Sequence, residues 1–224
     1  MKELEKKLNY TFKNSELLKN ALTHSSYANE NRAEGISSNE RLEFLGDSVL
    51  GFVTAMHLYS MQPTLSEGKM TRLRAELVCE QSLHGVALDL DLGRYLRMGH
   101  GEEKNGGRTR PSILADAVEA VIAAMFLDGG IAAPESFIER MILSPESIEA
   151  HHAADYKTEL QELVQRRSNQ VISYELIGES GPDHNKLFTF RVLINGGPNG
   201  EGSGRAKKEA EQMAACKALE ALKQ

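Results

Sequence analysis

The sequence predicts two domains of different fold class, an all-α domain followed by a smaller α+β domain. Leucine and alanine recur at helical spacing through residues 1–140, with breaks at glycine and proline. Alternating apolar and polar residues, which are typical of strands, appear in the C-terminal part. The segment 143–155 contains Pro145 and has no periodicity, so we expect the domain boundary there. The two predicted domains cover residues 1–150 and 154–224.

The first predicted domain consists of helices joined by short polar segments. The stretch His100-Gly-Glu-Glu-Lys-Asn-Gly-Gly has the composition of a loop between two of them. The expected helices cover residues 15–23, 39–60, 66–88 and 111–128, with a shorter one at 134–141.

The second predicted domain has the element order α-β-β-β-α, with its helices on one face of the sheet. A helix at about 155–167 precedes two alternating segments, 171–177 and 187–194, which predict strands. Gly181-Pro-Asp-His forms the loop between these strands, and a helix from 207 to 222 follows them.

The third strand of this order falls in a stretch rich in glycine and proline, Asn195-Gly-Gly-Pro-Asn-Gly. Proline lacks the backbone donor that a strand needs, and glycine weakens a strand. We therefore expect the third strand to be short or irregular.

The net charge of −6 would by itself argue against nucleic-acid binding, but the acids are unevenly distributed. Residues 1–154 hold 22 acids and 16 bases, whereas residues 155–224 hold 10 of each. The acidic excess therefore belongs to the first domain. It is either a solvated surface or a carboxylate cluster that needs cations.

The sequence predicts a cytoplasmic protein without membrane association. No apolar run reaches the roughly 20 residues of a membrane helix, and the charged N-terminus has no apolar core of the kind a secretory signal needs. The only cysteines, Cys79 and Cys216, lie far apart in sequence. We expect both to be small core residues of a protein from a reducing compartment.

Three acids share one side of the helix that begins at Asn39-Glu-Arg-Leu-Glu-Phe-Leu-Gly-Asp. At about 100° per residue, Glu40, Glu43 and Asp47 form one stripe, although like charges at these spacings repel. The apolar residues of the helix are expected on the opposite side. Phe44 and Leu50 flank the stripe, which indicates that the acids contact something other than open water. The residues expected on the apolar side are Leu42, Leu45, Val49, Phe52, Val53 and Met56.

Two further acids interrupt a helix that is apolar almost all the way round. Asp116 and Glu119 lie at i and i+3 in Ser112-Ile-Leu-Ala-Asp-Ala-Val-Glu-Ala, so they share one face. Burying carboxylates side by side requires compensation. One possibility is a salt-bridge network with bases, and the other is a site for Mg²⁺ or Mn²⁺, which prefer oxygen ligands. The candidate bases are Lys69, Arg72 and Arg74.

A carboxylate-bound cation favours hydrolysis of a phosphodiester, because such ions activate water and offset charge on the phosphate. The segment from Asn39 to Leu50 resembles the signature of the ribonuclease III family. Supporting matches are Ala21-Leu-Thr-His-Ser-Ser-Tyr, Leu65-Ser-Glu-Gly-Lys-Met-Thr-Arg-Leu-Arg-Ala and Ile113-Leu-Ala-Asp-Ala-Val-Glu-Ala. With the C-terminal domain included, the resemblance covers essentially the whole chain.

The resemblance implies a homodimeric nuclease domain that uses Mg²⁺, for which Mn²⁺ can substitute. Glu43, Asp47, Asp116 and Glu119 match the metal-binding acids, and Asp47 and Glu119 are the two most directly tied to hydrolysis. The other matching positions are Glu40 and Glu67, which line the acidic cleft of the dimer, and Phe44, which inserts into the partner subunit. We expect His24 to be a structural hydrogen-bonding residue, and the His151-His152 pair to be weak evidence for a metal site.

From Tyr156 onward the chain resembles the double-stranded-RNA-binding domain. The matching pieces are Tyr156-Lys-Thr-Glu-Leu-Gln-Glu-Leu, Gly181-Pro-Asp-His and Gly202-Ser-Gly-Arg-Ala-Lys-Lys-Glu-Ala-Glu, with Ala206 where the family often has Ser. Such residues read the A-form shape and the 2′-hydroxyl groups of RNA. The expected RNA contacts are Thr158, Gln161, Glu162, His184, Lys207 and Lys208.

The sequence therefore predicts an endoribonuclease that cuts duplex RNA with a divalent metal and leaves staggered 5′-phosphate and 3′-hydroxyl ends. The family resemblance also implies a role in processing rRNA precursors and other structured transcripts. Two alternatives stay open at this point. One is a non-catalytic duplex-RNA-binding protein whose acids serve dimer packing, and the other is a metal-dependent nuclease for DNA or single strands.

Overall fold

The computed structural model describes residues 1–61, 65–145, 148, 156–165, 170–182 and 186–222. It divides into two compact units, Met1–Ile148 and Glu149–Gln224. The first unit is all-α and the second combines helices with one sheet, so the predicted fold class is confirmed.

The first unit is a helical assembly with short 3₁₀ turns at Arg32–Glu34, Leu92–Tyr95 and Gly107–Thr109. Its helices are α1 (Lys2–Leu8), α2 (Ser15–Ala21), α3 (Ser25–Glu30), α4 (Glu40–Met61), α5 (Glu67–Leu77), α6 (Glu80–Asp89), α7 (His100–Lys104), α8 (Pro111–Gly129) and α9 (Ala132–Met141).

Helix α8 is the centre of the first unit. It begins with Pro111, whose missing N–H costs nothing in the first turn, and it packs against α2, α4, α6 and α9. Nearly all of its side chains from Ile113 to Met125 are buried, as expected for a helix that is apolar all round. The polar exceptions in this stretch, Asp116 and Glu119, are only partly buried.

Gly46 allows α4 and α8 to approach closely. A Cβ atom at this position would overlap the backbone carbonyl oxygen of Glu119. The absence of a side chain at Gly46 therefore sets the distance between the two acid-bearing helices.

Three local predictions were wrong. The helix expected at 66–88 is two helices, because Cys79 adopts extended backbone (φ −70°, ψ 159°) and begins α6 as its N-cap. The polar stretch after Gly99 contains helix α7 instead of a loop. Cys79 is exposed and Cys216 is partly buried, so neither is a core residue.

The second unit contains α10 (Tyr156–Gln165), β1 (Ile172–Ser180), β2 (Leu187–Ile194), β3 (Gly197–Gly204) and α11 (Lys207–Leu222). The strands form an antiparallel sheet in the order β1-β2-β3. Asn195 and Gly196 both have positive φ (52° and 79°), as a tight turn between β2 and β3 requires. The core of this unit is formed by Leu160, Val164, Phe190, Val192, Ala210, Ala214, Ala215, Ala218 and Leu219.

The third strand is as long as the second, so it is not short, but its pairing with β2 is irregular, as the second half of the prediction states. Its glycines at 200, 202 and 204 lie against the backbone of α11, where a Cβ atom would collide with residues Ala210, Ala214 and Ala218 or their neighbours. Pro198 is tolerated because β3 is an edge strand, and the pairing with β2 shifts register beside it. Glycine here is what lets the helix pack directly on the sheet.

Candidate metal centre

Helices α4 and α8 bring three carboxylates together on the first unit. One carboxylate oxygen each from Glu43, Asp116 and Glu119 lies within 4.8 Å of the others, and all three side chains are partly buried. The two α8 acids share a face through their i, i+3 spacing, and α4 supplies the third acid from the facing helix.

Asn39 anchors the start of α4 and thereby places Glu43. Its backbone N–H donates to the Thr23 carbonyl (2.8 Å), and its side-chain amide donates to the Ala21 carbonyl (3.2 Å). The Asn39 carbonyl in turn accepts the N–H of Glu43 (2.9 Å). The first turn of the acid-bearing helix is therefore fixed by the segment that precedes α3.

The acids of the cluster hold protons more tightly than free carboxylates. Burial, followed by the charges of Asp47, Asp116 and Glu43, raises the pKa of Glu119 to about 7. Burial also raises the pKa of Glu43, with smaller contributions from Asp116, Glu40 and Asp47. The cluster is therefore short of positive charge.

Asp116 is affected by two groups from outside the acid-bearing helices. Burial raises its pKa first, the charge of Glu80 raises it further, and a charge on His24 would lower it. Glu80 is the exposed first residue of α6. Sequence analysis missed Glu80, because it approaches the cluster only through tertiary packing between α6 and α8.

The salt-bridge network considered from the sequence is absent from the described part of the chain. Within it, no ion pair joins a lysine or arginine to Glu43, Asp116 or Glu119. Partly buried carboxylates without a basic partner, and with oxygen as the only donor atom, fit a hard divalent cation.

Of the other predicted acids, Asp47 and Glu40 lie near this group of three on α4, whereas Glu67 begins α5. Asp47 is exposed, one turn beyond Glu43, and is close enough to raise the pKa values of Glu43 and Glu119. Glu40 is exposed at the start of α4 and accepts a hydrogen bond from Ser38 Oγ (2.9 Å). Glu67 accepts from Thr71 Oγ1 (2.9 Å) and lines a separate cavity of about 300 Å³ with residues of α4 and α5.

One side of α4 presents apolar side chains to solvent. Phe44 is 78% exposed, Tyr59 77%, Phe52 54% and Met56 43%. Phe52 and Met56 were expected on the buried side, but the buried strip of α4 is centred on Leu42, Gly46, Val49, Leu50 and Val53 instead. The apolar side predicted from the helical spacing is therefore rotated about the axis of α4 relative to the side that is buried in the structure.

In the second unit, the predicted RNA contacts lie on its two helices. Gln161 is exposed on α10, where Thr158 and Glu162 are partly buried. Lys207 and Lys208 are exposed at the start of α11, and the Lys207 ammonium lies 5.6 Å from the centre of the Phe188 ring. His184, like His151 and His152, lies outside the described residues.

Two family models match the chain. The first, Ribonuclease-III-like, covers residues 14–146. The second, the Double-stranded RNA binding motif, covers residues 156–222.

Relatives of nearly the same length are found among curated proteins. The chain is 49% identical to Ribonuclease 3 of Listeria monocytogenes, over 98% of this chain and 96% of the relative. It is likewise 49% identical to Ribonuclease 3 of Desulforamulus reducens, over 98% of this chain and 90% of the relative.

Among solved structures, the nuclease domain of the Campylobacter jejuni ribonuclease III is similar, with a TM-score of 0.59 and 42% identity. The match covers 62% of this chain and 94% of that one, and that structure is described as flexible in a region involved in dimer formation.

Proposed function

Because the chain belongs to the ribonuclease III family, we infer that the cluster of Glu43, Asp116 and Glu119 is the catalytic centre of a double-stranded-RNA endoribonuclease. The observation that carries this proposal is the convergence of three partly buried carboxylates without a basic partner among the described residues. Such a cluster is unfavourable unless a cation or protons compensate it.

We propose that the cation is Mg²⁺, for which Mn²⁺ can substitute, held by Glu43, Asp116 and Glu119 together with Asp47. When bound, such an ion lowers the pKa of a coordinated water and offsets negative charge on the phosphate. The family implies a divalent metal, and the oxygen-only donor set fits one.

Within this centre, Asp47 and Glu119 are the acids that we assign to the hydrolysis itself. Asp47 is exposed and can orient a water molecule or accept its proton, whereas Glu119 is partly buried beside it. A carboxyl group with a pKa of about 7 can hold or release a proton at neutral pH. Water attacking in line on phosphorus would leave a 5′-phosphate and a 3′-hydroxyl.

The second unit is a duplex-RNA-binding domain. We propose that Lys207 and Lys208 contact phosphates at the start of α11, where free backbone N–H groups also favour anions. Thr158, Gln161, Glu162 and His184 would contact ribose hydroxyls and the minor groove.

We further propose that the enzyme is a homodimer that associates through the apolar side of α4. Contiguous exposed apolar side chains typically mark an interaction surface, and Phe44, Phe52, Met56 and Tyr59 all lie on this helix. Glu40 and Glu67 would line the acidic cleft of the dimer. An Ala substitution at Phe44 is expected to increase the monomer fraction in analytical ultracentrifugation, and an unchanged dimer would refute this contact.

The proposed setting is the bacterial cytoplasm, where the enzyme would process rRNA precursors and other structured transcripts. Each helix among the described residues is either too short or too polar to span a lipid bilayer.

The test is cleavage of a long RNA duplex by the wild type and by the Glu119→Ala variant, each with Mg²⁺ and with EDTA. We expect staggered fragments from the wild type with metal, no cleavage with EDTA, and no cleavage by the variant. The variant should still bind duplex RNA. Glu135→Gln, which changes an acid on α9 outside the cluster, serves as the control and should cleave normally. Full activity of Glu119→Ala would exclude the proposed centre.

A further inference from the structure

We propose that His24 is a positioning residue of the acidic cluster, whose Nε2–H hydrogen-bonds the Asp116 carboxylate through an intervening water molecule and holds it in the orientation that binds a cation. This inference rests on the proposed function, because it assumes that Asp116 is a metal ligand. It assigns to His24 a role beyond capping a helix.

The first step concerns the tautomer of the imidazole, that is, which ring nitrogen carries the proton. His24 is the N-cap of α3, and its Nδ1 accepts the backbone N–H of Ser26 (3.3 Å). Nδ1 also lies 2.8 Å from Ser26 Oγ, which itself accepts the N–H of Gly99 (2.9 Å). Because the backbone N–H of Ser26 donates to Nδ1, Nδ1 is an acceptor, and Ser26 Oγ must then be the donor in its own bond with Nδ1. Two donors thus converge on Nδ1, so the neutral ring carries its proton on Nε2.

The second step is that this Nε2–H has no protein acceptor in the described part of the chain. The only hydrogen bonds of the ring there are those of Nδ1 with Ser26. The side chain is partly buried. A partly buried donor without a protein partner typically has an ordered water as its partner.

The third step concerns the backbone that carries the ring, which is held next to the first turn of α4. Thr23, the preceding residue, accepts the N–H of Asn39 (2.8 Å), and the Asn39 carbonyl accepts the N–H of Glu43 (2.9 Å). The His24 backbone is held separately by its N–H bond to the Arg97 carbonyl (3.0 Å). The ring is also within electrostatic range of Asp116, because its positive charge would lower the pKa of that carboxyl.

Together these contacts give His24 two distinct edges. Nδ1 hydrogen-bonds Ser26 at the start of α3, whereas Nε2–H is available to a water molecule next to the acidic cluster. Residues that orient metal-binding carboxylates by hydrogen bonding typically contribute 10–100-fold to metal affinity. A substitution that keeps the cap of α3 and removes the Nε2–H donor should therefore weaken cation binding without destabilising the fold.

The His24→Asn variant makes this separation, because its side-chain oxygen can replace Nδ1 as the cap of α3 while no group replaces Nε2. We would measure binding of Mn²⁺ to the full-length protein without RNA, by isothermal titration calorimetry, together with the melting temperature in EDTA. We expect roughly 10-fold weaker Mn²⁺ binding and a melting temperature close to that of the wild type. The His57→Asn variant, which alters the histidine paired with Glu139 on α9 (3.8 Å), should bind Mn²⁺ as the wild type does.

Unchanged Mn²⁺ affinity in His24→Asn would overturn the proposal and leave His24 as a helix cap. Failure of the wild type itself to bind Mn²⁺ would instead refute the metal centre, so the two failures are distinguishable. Nitrogen-15 NMR of the histidines in the wild type tests the same proposal without any substitution. We expect the tautomer of His24 that carries a proton on Nε2, with an Nε2 resonance that shifts when Mg²⁺ is added. A ring protonated on Nδ1, or a resonance insensitive to Mg²⁺, would contradict the proposal.

Discussion

Glu119 links the acidic cluster to the stability of the protein. Its pKa is about 7 in the folded chain, against an ordinary value of 4.5, because it is partly buried among other carboxylates. Between these two pH values the folded state binds more protons than the unfolded state. The contribution of Glu119 to the free energy of unfolding of the metal-free protein therefore falls as the pH rises from about 4.5 to about 7, and this loss is complete above the folded pKa.

The Glu119→Gln variant should not show this loss of unfolding free energy with rising pH, because glutamine does not titrate. In EDTA we expect the variant to melt at a higher temperature than the wild type at pH 8 and at nearly the same temperature at pH 4.5, as measured by scanning calorimetry. Adding Mg²⁺ at pH 8 should stabilise the wild type more than the variant, since the cation replaces the protons. The Glu135→Gln control should show no such trend, and a difference between Glu119→Gln and wild type that is constant across pH would contradict this account.

Thr54 and Thr23 are both fully buried, yet their hydroxyl groups differ in hydrogen bonding. Thr54 Oγ1 has no partner within the described ranges. Thr23 Oγ1 donates to the Lys19 carbonyl (2.7 Å) and accepts from Arg97 (3.2 Å). A buried hydroxyl without a partner costs free energy that valine, which has the same shape, does not.

We therefore expect Thr54→Val to stabilise the protein by about 1 kcal/mol and Thr23→Val to destabilise it by about 1–3 kcal/mol. Urea unfolding of both variants measures the two changes. Destabilisation by Thr54→Val would indicate that its hydroxyl has a partner, such as an ordered water, that the protein atoms do not provide.

At the level of elements, the contact between α4 and α8 depends on Gly46. An alanine at this position would push its methyl group into the Glu119 backbone, and two packed helices cannot yield without separating. We expect Gly46→Ala to destabilise the protein by about 1–3 kcal/mol and to weaken Mn²⁺ binding, because Glu43 moves away from Asp116 and Glu119. Chemical unfolding and calorimetric titration measure the two effects.

Gly85 is the control for this change, since it lies in helix α6 with open space around it. Alanine favours a helix over glycine by about 1 kcal/mol, so Gly85→Ala should be stabilising. If Gly46→Ala were also stabilising, the close approach of α4 and α8 would not be required.

The elements that sequence analysis predicted well are those whose pattern is decided locally. Helix α8 is apolar all round and begins with proline, and the strand Leu187–Ile194 alternates cleanly, so both were predicted within about one residue. The break at Cys79 was missed because apolar residues keep their helical spacing on both sides of it. Local periodicity cannot indicate where the backbone turns.

Other features were inaccessible because they depend on packing between elements. Strand β3 was expected to be short or irregular because of the glycines and proline in 195–200, yet glycines at 200, 202 and 204 are what allow α11 to lie on the sheet. Likewise, the acids on α4 and α8 could be grouped by helical spacing. Glu80 approaches Asp116 from α6, and the sequence does not indicate which residues of α6 lie near α8. For the same reason, Phe52 and Met56 were predicted to be on the buried side of α4, although both are exposed.

At the level of the whole molecule, the chain consists of two units with separate hydrophobic cores. We propose that they are the catalytic and RNA-binding domains, with the boundary in the segment 143–155. A polypeptide of residues 149–224 should then fold alone, bind duplex RNA and fail to cleave it. Circular dichroism and electrophoretic mobility shifts measure these properties, and absence of a cooperative melt would refute an independent domain.

Binding by this second unit must come from local charge, because residues 155–224 hold equal numbers of acids and bases. Each lysine that neutralises a phosphate releases counterions, so its loss lowers the slope of log affinity against log salt by about 1. Replacing Lys207 and Lys208 by alanine in the full chain should therefore weaken duplex RNA binding and reduce this slope by about 2. Lys217 is the matched control on the same helix, since it pairs with Glu220 (2.8 Å) and lies away from the helix start. If Lys217→Ala lowered the slope as much as the loss of Lys207 or Lys208, binding would follow the overall charge of α11. The start of that helix would then not be the phosphate contact.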